Sequence, residues 1–344
     1  MKKTFGALVL AAGVALSAMP ASAQTVIRVA NWLPPAHPLF AEIIKPWTEQ
    51  VEEATEGRVD MQILDAPLGP PPAHMDFAVN GVADVVFGVH NYTPGRFVAT
   101  ELAEITGLCE KSAYLSPAWW TIHQKYFADL NEHRGTHLLG VWTHGPGQLW
   151  TNGRDVSSLE SIKGSKIRIG GGFAQKAAKA LDVVPIQSPV TKAYEILSGG
   201  VADGIEFPAE SVTAFKVNEV LDQGLILPGG LYTASMFLVM NQAKWDSLSK
   251  EDQDAISSVS GLALAKLAGK VWDAADDKAF AAMKEAGKIK MVDPSEEETK
   301  AIMAAIEPYK AEVLKAITDK GVDGQEVYDA LVAEIAKVKA ESGN

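Results

Sequence analysis

Gly81-Val82-Ala83-Asp84-Val85-Val86-Phe87 and Gly200-Val201-Ala202-Asp203-Gly204-Ile205-Glu206-Phe207 are two copies of one short phrase in a single chain. In each, a glycine closes a helix and a short apolar strand follows. The carboxyl end of that strand delivers His90 and Asn91 in the first copy, Glu206 and Phe207 in the second. Open α/β sheets bind ligands at the carboxyl ends of their strands. Two such units predict two similar lobes with a ligand clamped between them.

The surrounding pattern agrees. Apolar and β-branched runs at 26–31, 59–64, 84–90, 138–143, 166–169, 236–240 and 288–292 read as strands, with helical patterns between them. This alternation marks an α/β protein with mostly parallel sheets. Leu39, Ile43, Trp47 and Val51 place one apolar stripe on a helix, as do Leu264, Leu267 and Val271 on a later one. Asp293-Pro294-Ser295-Glu296 reads as a helix start with Asp293 as the cap, and Ser249-Lys250-Glu251-Asp252 as a second start. The expected division is a first lobe over 24–148 plus about 236–275, and a second over about 149–235 plus 276–344. The second includes C-terminal helices rich in Ala, Glu and Lys.

Lys2 and Lys3, an apolar stretch from Phe5 to Ala18 and Ala21-Ser22-Ala23 read as a signal peptide over 1–23. The mature chain is then expected to begin at Gln24 and to reside in the periplasm, with no segment inserted in a membrane. Losing two lysines moves the formal charge from -12 to -14. So acidic a surface argues against nucleic acid and anionic membrane as partners, but not against an anionic small molecule held by a local cation. The single cysteine, Cys109, makes no internal disulfide, so stability rests on the packed core. His133 and His137 lack an acidic or thiol partner at zinc-ligand spacing. No Gly-x-Ser-x-Gly or His-Glu-x-x-His occurs.

Several elements then fall in a familiar order: Arg28-Val29-Ala30-Asn31, Glu56-Gly57-Arg58-Val59, Ala66-Pro67-Leu68-Gly69, Ile162-Lys163-Gly164-Ser165-Lys166-Ile167-Arg168 and Gly200 to Glu206. Along its mature length the chain resembles the extracytoplasmic, DctP-like solute-binding proteins of tripartite ATP-independent periplasmic (TRAP) transporters. The resemblance implies a two-lobe α/β fold with a cleft, a ligand bearing a carboxylate, and delivery to a membrane permease driven by an ion gradient. It maps the carboxylate anchor onto Arg168, whose guanidinium offers two parallel N–H donors to such a group. Gly170-Gly171-Gly172 follows and either lets the backbone approach a ligand or starts a helix whose amides favour anions.

Two departures narrow the ligand. Many members of the family place a second Arg where this chain has Gly147, with Gln148 beside it, and Asn where it has Phe207. Losing these donors argues against a C4-dicarboxylate or sialic acid. Gln148, Arg168, Glu206 and Phe207 together resemble instead the branch that binds 2-oxo or 2-hydroxy monocarboxylates, in some members through Na⁺ or Ca²⁺. In that case the Gln148 oxygen, the Glu206 carboxylate and the Phe207 carbonyl would supply the metal ligands. Without a metal, Glu206 would accept from the ligand or orient Arg168. Trp32, His90, Tyr92, Trp150, Phe207 and Tyr232 are the expected cleft aromatics. The expected function is thus a receptor for a small monocarboxylate, a 2-oxo or 2-hydroxy acid, or an aromatic acid. Two alternatives stay open: a periplasmic lyase or hydrolase with Glu206 as base, and a ligand sensor that contacts a membrane partner without transport.

Overall fold

The computed structural model describes residues 24–343; the expected signal segment lies outside them. Two sheets organise the chain. The first has strand order β2-β1-β3-β10-β4, and the second β7-β6-β8-β5-β9-β11. The first sheet is built from β1 (Thr25–Ala30), β2 (Val59–Ile63), β3 (Val85–Val89), β4 (Thr136–Thr143) and β10 (Ser235–Asn241). The second is built from β5 (Gln148–Thr151), β6 (Lys166–Ile169), β7 (Val184–Gln187), β8 (Gly204–Phe207), β9 (Gln223–Leu225) and β11 (Lys290–Val292). Each sheet has three parallel strands followed by an antiparallel pairing: β10 against β3 in one, β5 against β8 in the other.

The repeated phrase performs the same structural task twice. Gly81 and Gly200 take φ of +68° and +67°, which glycine adopts without a Cβ clash. The next residue closes the helix end in the same way, Val82 N donating to Phe77 O and Val201 N to Ile196 O, each at 2.9 Å. The aspartate then locks the coming strand to its parallel neighbour. Asp84 Oδ2 accepts from Arg28 N, and Asp203 Oδ2 from Lys166 N, both at 2.8 Å. The two matching phrases are therefore matched strand starts, fixing β3 beside β1 and β8 beside β6.

Three connections join the lobes. Residues 144–147 carry the chain from β4 to β5, and 226–234 return it from β9 to β10. The two segments pair with each other, Gly147 N donating to Tyr232 O at 2.8 Å and Leu231 N to Gly147 O at 2.9 Å. The long helix Leu262–Ala286 is the third, packing on helix Ser112–Ile122 beside the first sheet and helix Ala209–Ala214 beside the second. Its buried face runs through Leu264, Ala268, Trp272 and Ala279, so Leu267 and Val271 are only half-buried, off the centre of the expected stripe. The Leu39, Ile43, Trp47, Val51 stripe is fully core.

Other expectations shift locally. The helix cap at Glu296 is Ser295, whose side chain accepts from Glu298 N, rather than Asp293. Ser249 caps its helix as read. Helix Glu296–Thr318 packs on helix Phe173–Ala180 of the second lobe, but helix Gly324–Glu341 lies on helix Ser112–Ile122 beside the first, so the C-terminal pair straps both lobes. No helix among the described residues is long and apolar enough to cross a membrane.

The crossing leaves no spare volume at Gly147, where a Cβ would stand 2.2 Å from Cε1 of the Tyr232 ring. We expect Gly147→Ala to destabilise the fold by about 1–3 kcal/mol, read as a lowered thermal midpoint, because an overpacked site forces neighbours off their rotamers.

Candidate functional site

A cavity with about 490 Å³ of atom-free space, partly open to solvent, lies between the lobes at the carboxyl ends of β1, β3, β6 and β8. This is where open α/β sheets place ligands. Its wall is mostly apolar, with Trp32, Val89, Phe207, Phe215, Met236 and Trp272 prominent. The lobes are in contact around it. Tyr92 accepts from Val190 N at 3.0 Å, Lys176 meets Glu101 at 2.7 Å, and Glu104 accepts from Phe173 N at 3.2 Å.

Arg168 is the one cationic side chain on the wall at neutral pH. Its strand β6 is hydrogen-bonded on both sides, to β7 and β8, which removes the backbone from solvent. The residue is only 2 % exposed. Nη2 donates to Ser188 O, Nε is buried without a partner, and the guanidinium lies 4.9 Å from the centre of the Phe207 ring. Among the described residues no carboxylate comes within ion-pair distance of it. A buried charge in this condition calls for an anion.

Glu206, whose carboxyl feels the Arg168 charge, does not supply that anion. It is fully buried behind the cavity wall, and neither carboxylate oxygen has a hydrogen-bond partner. Burial pushes its pKa up to about 8, against a smaller opposing pull from Arg168. At neutral pH the carboxyl is mostly protonated, which leaves the Arg168 charge uncancelled.

The nine expected site residues separate into two groups. Trp32, Tyr92, Arg168, Phe207 and Tyr232 line the cavity; His90, Gln148, Trp150 and Glu206 do not. His90 lies in an aromatic cluster, its Nε2 2.9 Å from Nε2 of His133 and its ring 4.7 Å from that of Phe97. Its neighbour Asn91 reaches the wall instead, because β3 ends at Val89 and the chain turns there. Trp150 supports the wall from behind, donating from Nε1 to Phe207 O at 2.9 Å. Gln148 spends both ends of its amide on Leu227: Oε1 accepts from Leu227 N at 2.8 Å and Nε2 donates to Leu227 O at 3.1 Å.

These bonds bear on a bridging cation. Of the three oxygens expected as ligands, the Gln148 oxygen and the Phe207 carbonyl are engaged by protein donors, and only the Glu206 carboxyl is free. Each of those two oxygens keeps a second lone pair, but neither the Gln148 nor the Glu206 side chain reaches the cavity wall, so the set does not fit a cation that bridges to a ligand in the cavity. The helix that begins after Gly172 also has its own occupant. Glu104 accepts from Phe173 N, where a ligand anion was one expectation.

Sequence reasoning missed His37, His144, Phe215 and Trp272 on the wall, and named Asn91 at the strand end without counting it among the site residues. His144 stood within the segment already scrutinised for a second Arg. Trp272 falls on the buried face of the long helix, a signal that helical periodicity carries but assigns to core.

Two lobes closed on a cavity with one unmatched cation define a solute receptor. A sequence model of the family described as bacterial extracellular solute-binding protein, family 7 (DctP), matches residues 29–317, and the chain belongs to that family. A TRAP periplasmic solute-binding protein from Bordetella bronchiseptica, solved with (R)- and (S)-mandelate, is 36% identical to it. That match covers 91% of this chain and 99% of the other, with a TM-score of 0.89. A marine metagenome TRAP solute-binding protein, described as specific for aromatic acid ligands and solved with metahydroxyphenylacetate, is 30% identical over 92% of this chain and 99% of its own, with a TM-score of 0.84. An outer membrane transporter protein, TsaT of Comamonas testosteroni, is 26% identical over 93% of this chain and 96% of its own. The relatives with solved structures are receptors, and the lyase or hydrolase reading finds no support among them.

The Glu206 carboxyl has a pH signature. Its pKa rises from an ordinary 4.5 to about 8 on folding, so the folded chain holds a proton the unfolded chain releases. The stabilisation is complete below about pH 4.5 and is lost as pH rises through about 8. Thermal midpoints of the ligand-free protein and of Glu206→Gln, compared from pH 5 to pH 8, should show the shallower decline in the variant. Equal slopes would mean that Glu206 is ionised in the fold.

Proposed function

We propose that this protein is the periplasmic receptor of a TRAP transporter and that it captures a small aromatic monocarboxylate, including 2-hydroxy acids, for delivery to a membrane permease driven by an ion gradient. The observation that carries this reading is the buried Arg168 guanidinium, which faces an aromatic cavity without a protein anion. A carboxylate would meet its free N–H donors and neutralise it, a charge-assisted pairing with directional geometry.

The rest of the wall supports one carboxylate rather than two. Where many relatives are expected to have a second Arg, Gly147 is packed against the Tyr232 ring, so an aromatic surface stands in place of a second charge. Phe207 and Trp32 offer further flat faces to a ring. Near Arg168, Asn91 Oδ1 is buried without a partner beside Gly170 and can accept from a hydroxyl on the carbon next to the carboxylate. The mandelate bound to the Bordetella bronchiseptica relative has this chemistry.

Capture follows from lobe closure. The three contacts across the cleft form only when the lobes meet, and a ligand touching both lobes favours that state by its difference in affinity between open and closed forms. The permease would recognise the closed form. Binding is proposed to be cation-independent, since the Gln148 amide is held by Leu227 and neither Gln148 nor Glu206 reaches the cavity wall.

Calorimetric titration of the mature protein with mandelate, phenylacetate and succinate, each with and without EDTA, tests this. The aromatic acids should bind, succinate should not, and EDTA should leave the affinity unchanged. Arg168→Ala should cost roughly 2–5 kcal/mol of binding free energy. Preference for succinate, or full affinity in Arg168→Ala, would sink the assignment.

A further inference from the structure

Besides Arg168, the wall carries three polar side chains gathered around Trp272 and Glu210: His37, His144 and Ser211. Tyr232 links this group to the Arg168 side. Its hydroxyl donates to Glu206 O at 3.0 Å on the Arg168 side, while its ring packs edge-on against the His144 imidazole, centroids 5.3 Å apart at 86°. Two of the three polar groups are already engaged. Ser211 donates to Glu210 Oε2 at 2.8 Å; His37 accepts from Leu39 N on Nδ1 and faces Glu210 Oε1 with Nε2 at 3.4 Å.

His144 is different. Its Nδ1 lies 2.5 Å from Gly145 O, which can only accept, and 3.2 Å from Thr233 Oγ1, whose own proton goes to His144 O; this set of contacts favours the ring proton on Nδ1. Burial pulls the pKa down to about 4, so the ring is neutral and Nε2 presents a bare lone pair. Among the described residues Nε2 makes no hydrogen bond, although the residue is only 5 % exposed. The ring is held between Tyr232 and Trp272, and its backbone is pinned by Thr233, whose hydroxyl donates to His144 O at 2.8 Å. A fixed, neutral acceptor on an apolar wall selects a donor and repels a second carboxylate.

We propose that His144 is a specificity-determining residue that accepts a hydrogen bond from a hydroxyl on the ligand's aromatic ring, at the end remote from the carboxylate. The inference rests on the aromatic-acid reading above and narrows it to ring-hydroxylated acids.

The experiment compares affinities for phenylacetate, its 3- and 4-hydroxy derivatives and the matching fluoro derivatives, which occupy similar space without a donor proton. One hydroxy isomer should bind the native protein about tenfold better than phenylacetate, the worth of one well-formed hydrogen bond. Its fluoro counterpart should show no gain. His144→Phe should erase the hydroxyl preference, read as the ratio of affinities for the hydroxy acid and phenylacetate within the variant, and His144→Gln, which keeps an acceptor, should restore part of it. The fluoro comparison uses the native chain and stands even where a variant fails to fold. Equal affinity for the hydroxy, fluoro and parent acids, or a preference that survives His144→Phe, would overturn this inference alone. No binding by any of these aromatic acids would overturn the aromatic-acid reading beneath it as well.

Discussion

A guanidinium removed from water without a counter-charge sets the terms for the rest of this molecule. Among the described residues Arg168 has a single hydrogen-bond acceptor, and Glu206, whose carboxyl feels its charge, is held in a setting that favours the neutral form. The cost of burying such a charge is several kcal/mol in proteins even after relaxation. The fold tolerates it because strand β6 is fixed on both sides and the ring of Phe207 lies against the cation. An ionised Glu206 paired with Arg168 would relieve the cost and remove the reason for a ligand to bind. Keeping the pair apart leaves that relief to the solute.

The crossing between the lobes shows the same economy of space. Gly145 and Gly147 have no room for a Cβ, one facing Asp276 and the other Tyr232. The segment that joins the sheets therefore also contributes wall, through His144 on one strand of the crossing and Tyr232 on the other. Rotation of the lobes and the shape of the cavity are coupled through the same few residues.

The α/β alternation, the two-lobe plan and the anchor were legible because each leaves a local mark: apolar runs, a repeated Gly-Val-Ala-Asp phrase, an Arg within a recognisable element. Strands β5, β7 and β9 were not: they are three or four residues long and lack the apolar run, repeated phrase or family element that marked the equally short β6, β8 and β11. The site was legible only in part, for a different reason. Sequence places a residue at a strand end but does not say which way the chain turns next, so His90 was expected where Asn91 stands. Gln148 and Trp150 were chosen for chemistry that the fold spends on the backbones of Leu227 and Phe207. His144 could not be found this way, because a free lone pair is a property of what its neighbours leave unbound.

The strand order has a consequence for how the chain comes to be folded. β10 lies between β3 and β4, yet it follows every strand of the second sheet except β11 in the sequence. A chain threaded across a membrane from its amino end would emerge with β3 presenting an unpaired hydrophobic edge until residues 235–241 arrive. Neither lobe is a finished object on its own. In such a chain the β3 edge would need shielding from other chains until β10 is delivered and pairs with it.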